Sequence, residues 1–411
     1  MKNQEDRKKR AAPLEGLRVL ELSRIMAGPV CGLLLSDMGA DVTKVERFPG
    51  GDDARGYRRP GDKGLGPAFV MINRGKRSIA LDLATEGGKA TLLRLVKSAD
   101  VVTENFRVGT MEKLGLSYDV LARENPALIY CGISGYGRTG PLASQGGFDL
   151  ILQAFAGLIS VTGDESGKLS KPGISVADVN AGILAALGIL AAYIERLKTG
   201  HGQRVDTSLL QAGLQQTYWL AAAYFSNGIV GRPLGTAHPL IAPYQTFECA
   251  DGEIAIGGAN QKNWERIAEV LQRPEWIGDL RFLDGANRLA NRHELVALMT
   301  AQLREGTRMH WIERLSAAGV PVGPVNTIDE ALNHPQSRAI GMVVDNRDER
   351  AGVGSTLGCP LHFNQVSPMR GGKAPLVGEH TISTLQSGGF SEAEIRNLLA
   401  DGAAFQSEVA A

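Results

Sequence analysis

The sequence predicts an α/β fold, built on a mainly parallel, doubly wound sheet and followed by a smaller α+β unit. Three observations predict it. Short apolar runs alternate with amphipathic helical stretches over the first 130 or so residues. Glycine is frequent, at 51 of 411 residues, which suits many tight turns and close backbone approaches. Past Gly231 the texture changes to short strand-like runs followed by several helices.

Taken in order, residues 17–22 (LRVLEL) read as a buried strand. Gly28 and Pro29 open a helical stretch that stops at Gly39, and residues 41–46 (DVTKVE) form the next strand. A β-α-β unit of this kind crosses over right-handedly. Residues 78–83 and 101–106 are strand-like and flank an amphipathic helix over 86–98. A helix over 117–125 ends before Pro126, and residues 128–134 (LIYCGIS) make another strand. Residue 178 precedes a long apolar helix closed by Arg196, Lys198 and Gly200, and residues 207–227 read as a second long helix. Beyond them come EIAIGG and the helical stretches NWERIAEVL, RHELVALMTAQL and MHWIERLSAAG, with Pro321 and Pro324 breaking the pattern. The domain reading is a mobile charged tail over 1–13, a large domain over 14–228, a small α+β domain over 229–330 and a C-terminal segment over 331–411.

Composition excludes several classes. The chain is 43% hydrophobic and 21% charged, so a large core is available and bulk disorder is not. Lys and Arg total 44, as do Asp and Glu, which argues against nucleic acid or an anionic membrane as the main partner. The longest apolar run, residues 181–194, is shorter than the ~20 residues of a spanning helix and reads as a core helix. Cys31, Cys131, Cys249 and Cys359 are far apart, which fits a reducing, cytoplasmic setting. Seven scattered histidines offer no metal-binding spacing, so no metal is expected.

One motif misleads. Gly135–Gly140 spells G-x-G-x-x-G after a strand, but Pro141 and LASQGGFD do not start a helix that could face a pyrophosphate, and the first β-α turn is not glycine-rich. Two features remain. Residues 47–77 hold Arg47, Arg55, Arg58, Arg59, Lys63, Arg74, Lys76 and Arg77 against Asp52, Asp53 and Asp62: a solvated loop, or a seat for a small polyanion such as a nucleotide. Asp178 lies among small and apolar residues at a helix start. It reads either as an N-cap or as a nucleophilic carboxylate whose charge the helix dipole and nearby N–H groups sustain.

The motifs as a set are more specific. They are L-E-G-L-R-V-L-E-L-S (14–23), A-G-P (27–29), D-M-G-A-D-V-T-K-V-E-R (37–47), N-R-G-K-R-S-I-A-L-D-L (73–83) and E-N-F-R-V-G (104–109). S-G-Y-G-R-T-G-P (134–141), S-V-A-D-V-N-A-G (175–182), K-T-G-H-G-Q-R-V-D (198–206), G-V-P-V-G-P-V-N (319–326) and L-V-G-E-H-T (376–381) complete the set. With them the chain resembles the class III CoA-transferases, the CaiB/BaiF family that includes formyl-CoA transferase and succinyl-CoA:glutarate CoA-transferase. The resemblance covers nearly the whole chain. G-T-A-H-P-L-I-A-P-Y-Q-T-F (235–247) is most similar to the branch that handles dicarboxylates.

The resemblance implies a Rossmann-like large domain, a smaller domain, a C-terminal segment returning to the large one, and an interlocked homodimer. It implies transfer of CoA from an acyl-CoA donor, succinyl-CoA in this branch, to a carboxylic acid acceptor, with CoA thioesters as substrates and no tightly bound cofactor. Asp178 matches the family nucleophile, which forms a covalent aspartyl-CoA thioester. Met26, Ala27, Arg47, Leu81, Asn105, Phe106, Lys113, Gly135, Tyr136 and Gly137 match CoA-contacting positions. Arg107, His238, Tyr244 and Gln245 are candidates for holding the acid's distal carboxylate, since an Arg fork or a protonated His suits it. Two alternatives share the fold: an acyl-CoA racemase and a non-catalytic CoA-binding protein. Racemases carry a histidine in G-H-D and a glutamate in G-A-x-E. This chain has Gly147-Phe148-Asp149 and Gly258-Ala259-Asn260, and phenylalanine accepts no proton.

Overall fold

The computed structural model describes residues 12–61, 64–369 and 371–407; the expected tail lies almost entirely outside them. The chain divides into two compact units. One comprises residues 1–158, 172–229 and 335–411; the other comprises 159–171 and 230–334.

In the first unit the predicted alternation appears as strand β1 (Arg18–Glu21), helix α1 (Ala27–Asp37), β2 (Asp41–Glu46), β3 (Arg77–Leu81), α2 (Glu86–Val96), β4 (Val101–Glu104) and β5 (Ile129–Ser134). Then come α3 (Asp149–Phe155), α4 (Val176–Thr199), β6 (Arg204–Ser208), α5 (Leu209–Gln215) and α6 (Tyr218–Asn227). Among the described residues, a seven-stranded sheet runs in the order Ala404–Phe405, β3, β2, β1, β4, β5, β6. Its pairs are parallel except at the edge, where Ala404–Phe405 lies antiparallel to β3. Leu20 stands beside Thr43 on one side and Val102 on the other, so strand order reverses direction between β1 and β4. Such a switch point leaves a crevice at the strands' carboxyl ends.

The sheet is buried on both faces, and successive strand residues serve opposite cores. Val19, Val101, Ile129 and Cys131 pack with α1, α4 and α5; Leu20, Val102 and Tyr130 pack with α2 and the C-terminal helices. Residues 335–411 thus contribute an edge strand and part of one core, while Val343–Asp348 and Val353–Leu357 form a separate antiparallel pair.

Three sequence expectations are corrected. The stretch 207–227 is not one helix: Arg204–Ser208 adds a parallel strand, Ser208 caps α5, and α6 starts after Thr217. The polar Arg-Val-Asp-Thr-Ser run becomes a strand because β5 offers it an edge, overriding its weak local pattern. The expected core helix is longer and more one-sided. α4 has 24 residues and by length and composition alone could cross a membrane. Its small-residue face, including Ala181, Gly182, Ala185 and Ile189, is buried, whereas Ile183, Leu187, Ile194 and Leu197 on the other side are exposed. Finally, residues 159–171, read with the large domain, group with the second unit. A bridge pairs Gly163 with Leu169, Gly235 N–H donates to Gly163 O, and Arg292 pairs with Glu165 at 2.5 Å.

The second unit joins a three-stranded antiparallel sheet, Tyr244–Cys249, Gly252–Gly257 and Val322–Pro324, to helices Gln261–Val270, Arg292–Leu303 and Arg308–Ala317. Its core centres on the buried Trp264, Phe247, Phe282 and Met299.

Candidate active site

Two adjoining cavities open at the carboxyl ends of the first unit's strands. Residues 24–27, 105–108, 133–135 and 145–148, with Asp178 and Leu209, line the first. Residues 22–24, 44–47, 51–52 and 81–84, with Phe106, Thr110 and Leu114, line the second. Arg24 and Phe106 belong to both. The switch point between β1 and β4 therefore carries the site.

Asp178 is the third residue of α4 and is not its cap. Ser175 precedes the helix without a side-chain hydrogen bond, and Asp149 takes the role from 28 residues away. Asp149 Oδ1 accepts from the N–H of Ala177 at 3.0 Å and of Asp178 at 3.3 Å. Gln153 Nε2 donates to Asp149 Oδ2 at 2.5 Å and to Ile174 O at 3.2 Å, which fixes that carboxylate. The N–H groups expected to sustain the Asp178 charge are thus given to another anion. Among the described residues no group donates a hydrogen bond to the Asp178 carboxylate. Burial, reinforced by the negative charge of Asp149, pushes its pKa up to about 7. Phe148, 69% exposed, presents an aromatic ring and no proton acceptor at the cavity wall.

Of the matched CoA positions, Met26, Ala27, Asn105, Phe106 and Gly135 line the first cavity, and Arg47, Leu81 and again Phe106 line the second. Met26 caps α1 without a side-chain bond, so the first N–H groups of α1 lack a side-chain acceptor beside the cavity. The amide of Asn105 is already engaged: Oδ1 accepts from Arg24 N–H at 2.9 Å, and Nδ2 donates to Arg24 O at 2.8 Å. It braces one loop against the other. Phe106 N–H donates to Glu104 Oε2 at 2.8 Å. At Gly135 an added Cβ would stand 3.0 Å from the backbone nitrogen of Gly147, so two glycines let the loops meet across the cavity. Arg47 is largely exposed and pairs with Asp53 at 2.6 Å.

Lys113, Tyr136 and Gly137 lie outside the lining of both cavities. Lys113 is exposed at the end of a short helix. Tyr136 packs edge-on against Phe155, with ring centroids 5.2 Å apart. Gly137, at φ +101°, donates its N–H to Ser134 Oγ. Of the acid-binding candidates, Arg107 lines the first cavity. Its guanidinium lies against Gly146, where a Cβ would come within 2.8 Å of Nε, and among the described residues no carboxylate pairs with it. His238, Tyr244 and Gln245 belong to the second unit. There the His238 ring meets Tyr244 edge-on at 5.3 Å, and its Nδ1 accepts from Leu240 N–H. Asn260, the variable position of the racemase element, caps helix Gln261–Val270, and Gln261 stands where that element has its glutamate.

Three of the basic segment's eight cations prove structural, and Lys63 lies outside the described residues. Arg55 pairs with Glu46, Arg74 with Asp37 and Lys76 with Glu21, all buried, which leaves Arg47 as the segment's cation on the second cavity. Sequence reasoning missed the structural tasks of Asp149 and Asp52. No local signal marks Asp149, because the helix it caps begins far along the chain.

Comparison with known proteins agrees with this architecture. The model of CoA-transferase family III matches residues 14–381. A succinate–glutarate CoA-transferase from Agrobacterium fabrum is 38% identical, with 92% of this chain and 96% of that protein covered. A succinyl-CoA:mesaconate CoA-transferase from Haloarcula hispanica is 39% identical, with the same two shares. The crystal structure of a CaiB/BaiF family protein from Brucella suis superposes with a TM-score of 0.83 at 36% identity, covering 92% of this chain and all of that one. The chain is an enzyme that transfers CoA, and it belongs to CoA-transferase family III.

Proposed function

We propose that the enzyme moves CoA from succinyl-CoA to a dicarboxylic acid through a covalent thioester on Asp178, working in the cytoplasm as an interlocked homodimer. An Asp178 oxygen attacks the thioester carbonyl; the C–S bond breaks, leaving a mixed anhydride and CoA thiolate. The thiolate attacks the aspartyl carbonyl, forming aspartyl-CoA and releasing succinate. The acceptor carboxylate then attacks aspartyl-CoA, and the same steps run in reverse to give the new acyl-CoA and free Asp178. One thioester is exchanged for another, so no ATP is consumed.

The observation that carries this reading is the Asp178 carboxyl itself: it faces the first cavity with no hydrogen-bond donor among the described residues, at a helix start beside two glycine loops. An unbonded, partly desolvated carboxylate is a stronger nucleophile than a solvated one. The uncapped start of α1 supplies N–H donors for the tetrahedral oxyanions. Arg107, with no carboxylate partner among the described residues, offers its fork to a second carboxylate, and Arg47 on the adjoining cavity suits the phosphates of CoA. The names of the relatives, which carry glutarate and mesaconate, support a dicarboxylate acceptor.

The test is incubation with succinyl-CoA and hydroxylamine, followed by peptide mass spectrometry. A hydroxamate on Asp178, absent from Asp178→Asn, is the expected result. Glutarate, mesaconate and oxalate then compete as acceptors. Absence of the hydroxamate with every acyl-CoA tried, together with solvent deuterium entering the acyl α-carbon, would replace transfer by racemisation.

A further inference from the structure

The loop joining β1 to α1 contains a strained residue. Ile25 has φ +69°, a left-handed conformation that costs a β-branched side chain energy and that persists only where surroundings enforce it. It sits immediately before Met26 and Ala27, which line the first cavity. What enforces it is visible. Both carboxylate oxygens of the buried Asp52 accept from the Ile25 N–H, at 3.0 and 3.2 Å. Asp52 is itself fixed by Lys44 at 2.8 Å, and Lys44 Nζ also donates to Ser23 O at 2.7 Å. Lys44 and Lys76 share the buried Glu21, and Lys76 Nζ donates to Pro29 O at 2.8 Å. Four buried charges therefore hold the backbone before, at and after the turn. Buried ion pairs are a weak source of stability compared with apolar packing, so their fixed geometry is the better reason for this cluster.

We propose that Asp52 is a positioning residue for CoA transfer: its carboxylate holds Ile25 in the left-handed turn, and that turn sets Met26 and Ala27 against the thioester end of the bound acyl-CoA. This rests on the first cavity being the seat of thioester exchange. The turn is built before substrate arrives, so binding spends no energy on forming it.

The test combines exchange and kinetics on the full-length enzyme. In the wild type, the Ile25 amide is expected to exchange slowly with deuterium in the free protein, and equally slowly with CoA bound. Fast exchange in the free protein would overturn the proposal, and this arm needs no variant and no turnover. Steady-state rates are then measured with an acyl-CoA that the wild type uses. Asp52→Ala, which leaves no acceptor for the Ile25 N–H, should lower kcat by about ten-fold or more, with KM for acyl-CoA changed by less than about three-fold. Ile25→Gly, which takes the turn without strain, is the reference background for a second comparison. Relative to Ile25→Gly, adding Asp52→Ala should cost less than about three-fold, a rescue that a merely structural role would not produce. Equal losses in both backgrounds, or full activity in Asp52→Ala, would refute it. A wild type inert toward succinyl-CoA and dicarboxylates would count against the substrate reading alone.

Discussion

At the scale of single residues, the proposed mechanism turns on Asp178 and Asp149. With a pKa near 7, Asp178 is only about half ionised at neutral pH, so kcat/KM for acyl-CoA should climb about ten-fold per pH unit below 7 and level off above it. Asp149→Asn keeps an oxygen to accept from the start of α4 but removes the like charge. The rising limb should then move to lower pH, which a pH–rate profile reads directly. The stability consequence has the opposite sign to that of a salt-bridged carboxylate. The folded protein retains the Asp178 proton up to about pH 7, whereas the unfolded chain loses it near the ordinary 3.8. Stability therefore falls as pH rises through that window and stays lowered above it. Asp178→Asn should be inactive yet melt at a higher temperature than the wild type at pH 8, with the difference vanishing near pH 3. Calorimetry at the two pH values checks it.

At the scale of elements, the site depends on how closely α4 approaches α1. Gly182 faces Ala27: an added Cβ would stand 2.5 Å from Ala27 O and 2.9 Å from Val30 Cβ. Gly182→Ala should destabilise the fold by about 1–3 kcal/mol in denaturant titrations. It should also raise KM for acyl-CoA, because Ala27 lines the cavity. Such elements were legible wherever one residue's neighbours share its period. β1, β2, β5, α1 and α2 follow from apolar spacing and end within a residue or two of the expected limits. The place of Asp178 at a helix start was legible in its small-residue setting. What escaped was assigned by partners remote in sequence. β6 exists because β5 needs a neighbour, and the cap of α4 comes from Asp149. The cationic stretch around Arg55 and Lys76 turned inward because carboxylates elsewhere in the chain required it.

At the scale of the whole molecule, α6 is exposed along its length. No residue of that helix is buried, and Trp219 and Phe225 are each 83% exposed; α4 adds Leu187 and Leu197. Contiguous exposed apolar surface marks an association site, and the proposed homodimer would give it an occupant. Sedimentation velocity should find a dimer for the wild type. Trp219→Glu with Phe225→Glu should yield monomers, whereas a monomeric wild type would remove the dimer from the account. The chain also passes between its two units four times, and its last strand, Ala404–Phe405, completes the sheet beside β3, which was made more than 300 residues earlier. At roughly 5–20 residues per second, β3 waits some 15–60 s on the ribosome with an open edge. Until Ala404 emerges, that edge is free to pair with another nascent chain. A stop codon a few residues early would make this exposure permanent, and the cost of such a truncation would appear first as lost soluble yield rather than as a slower enzyme.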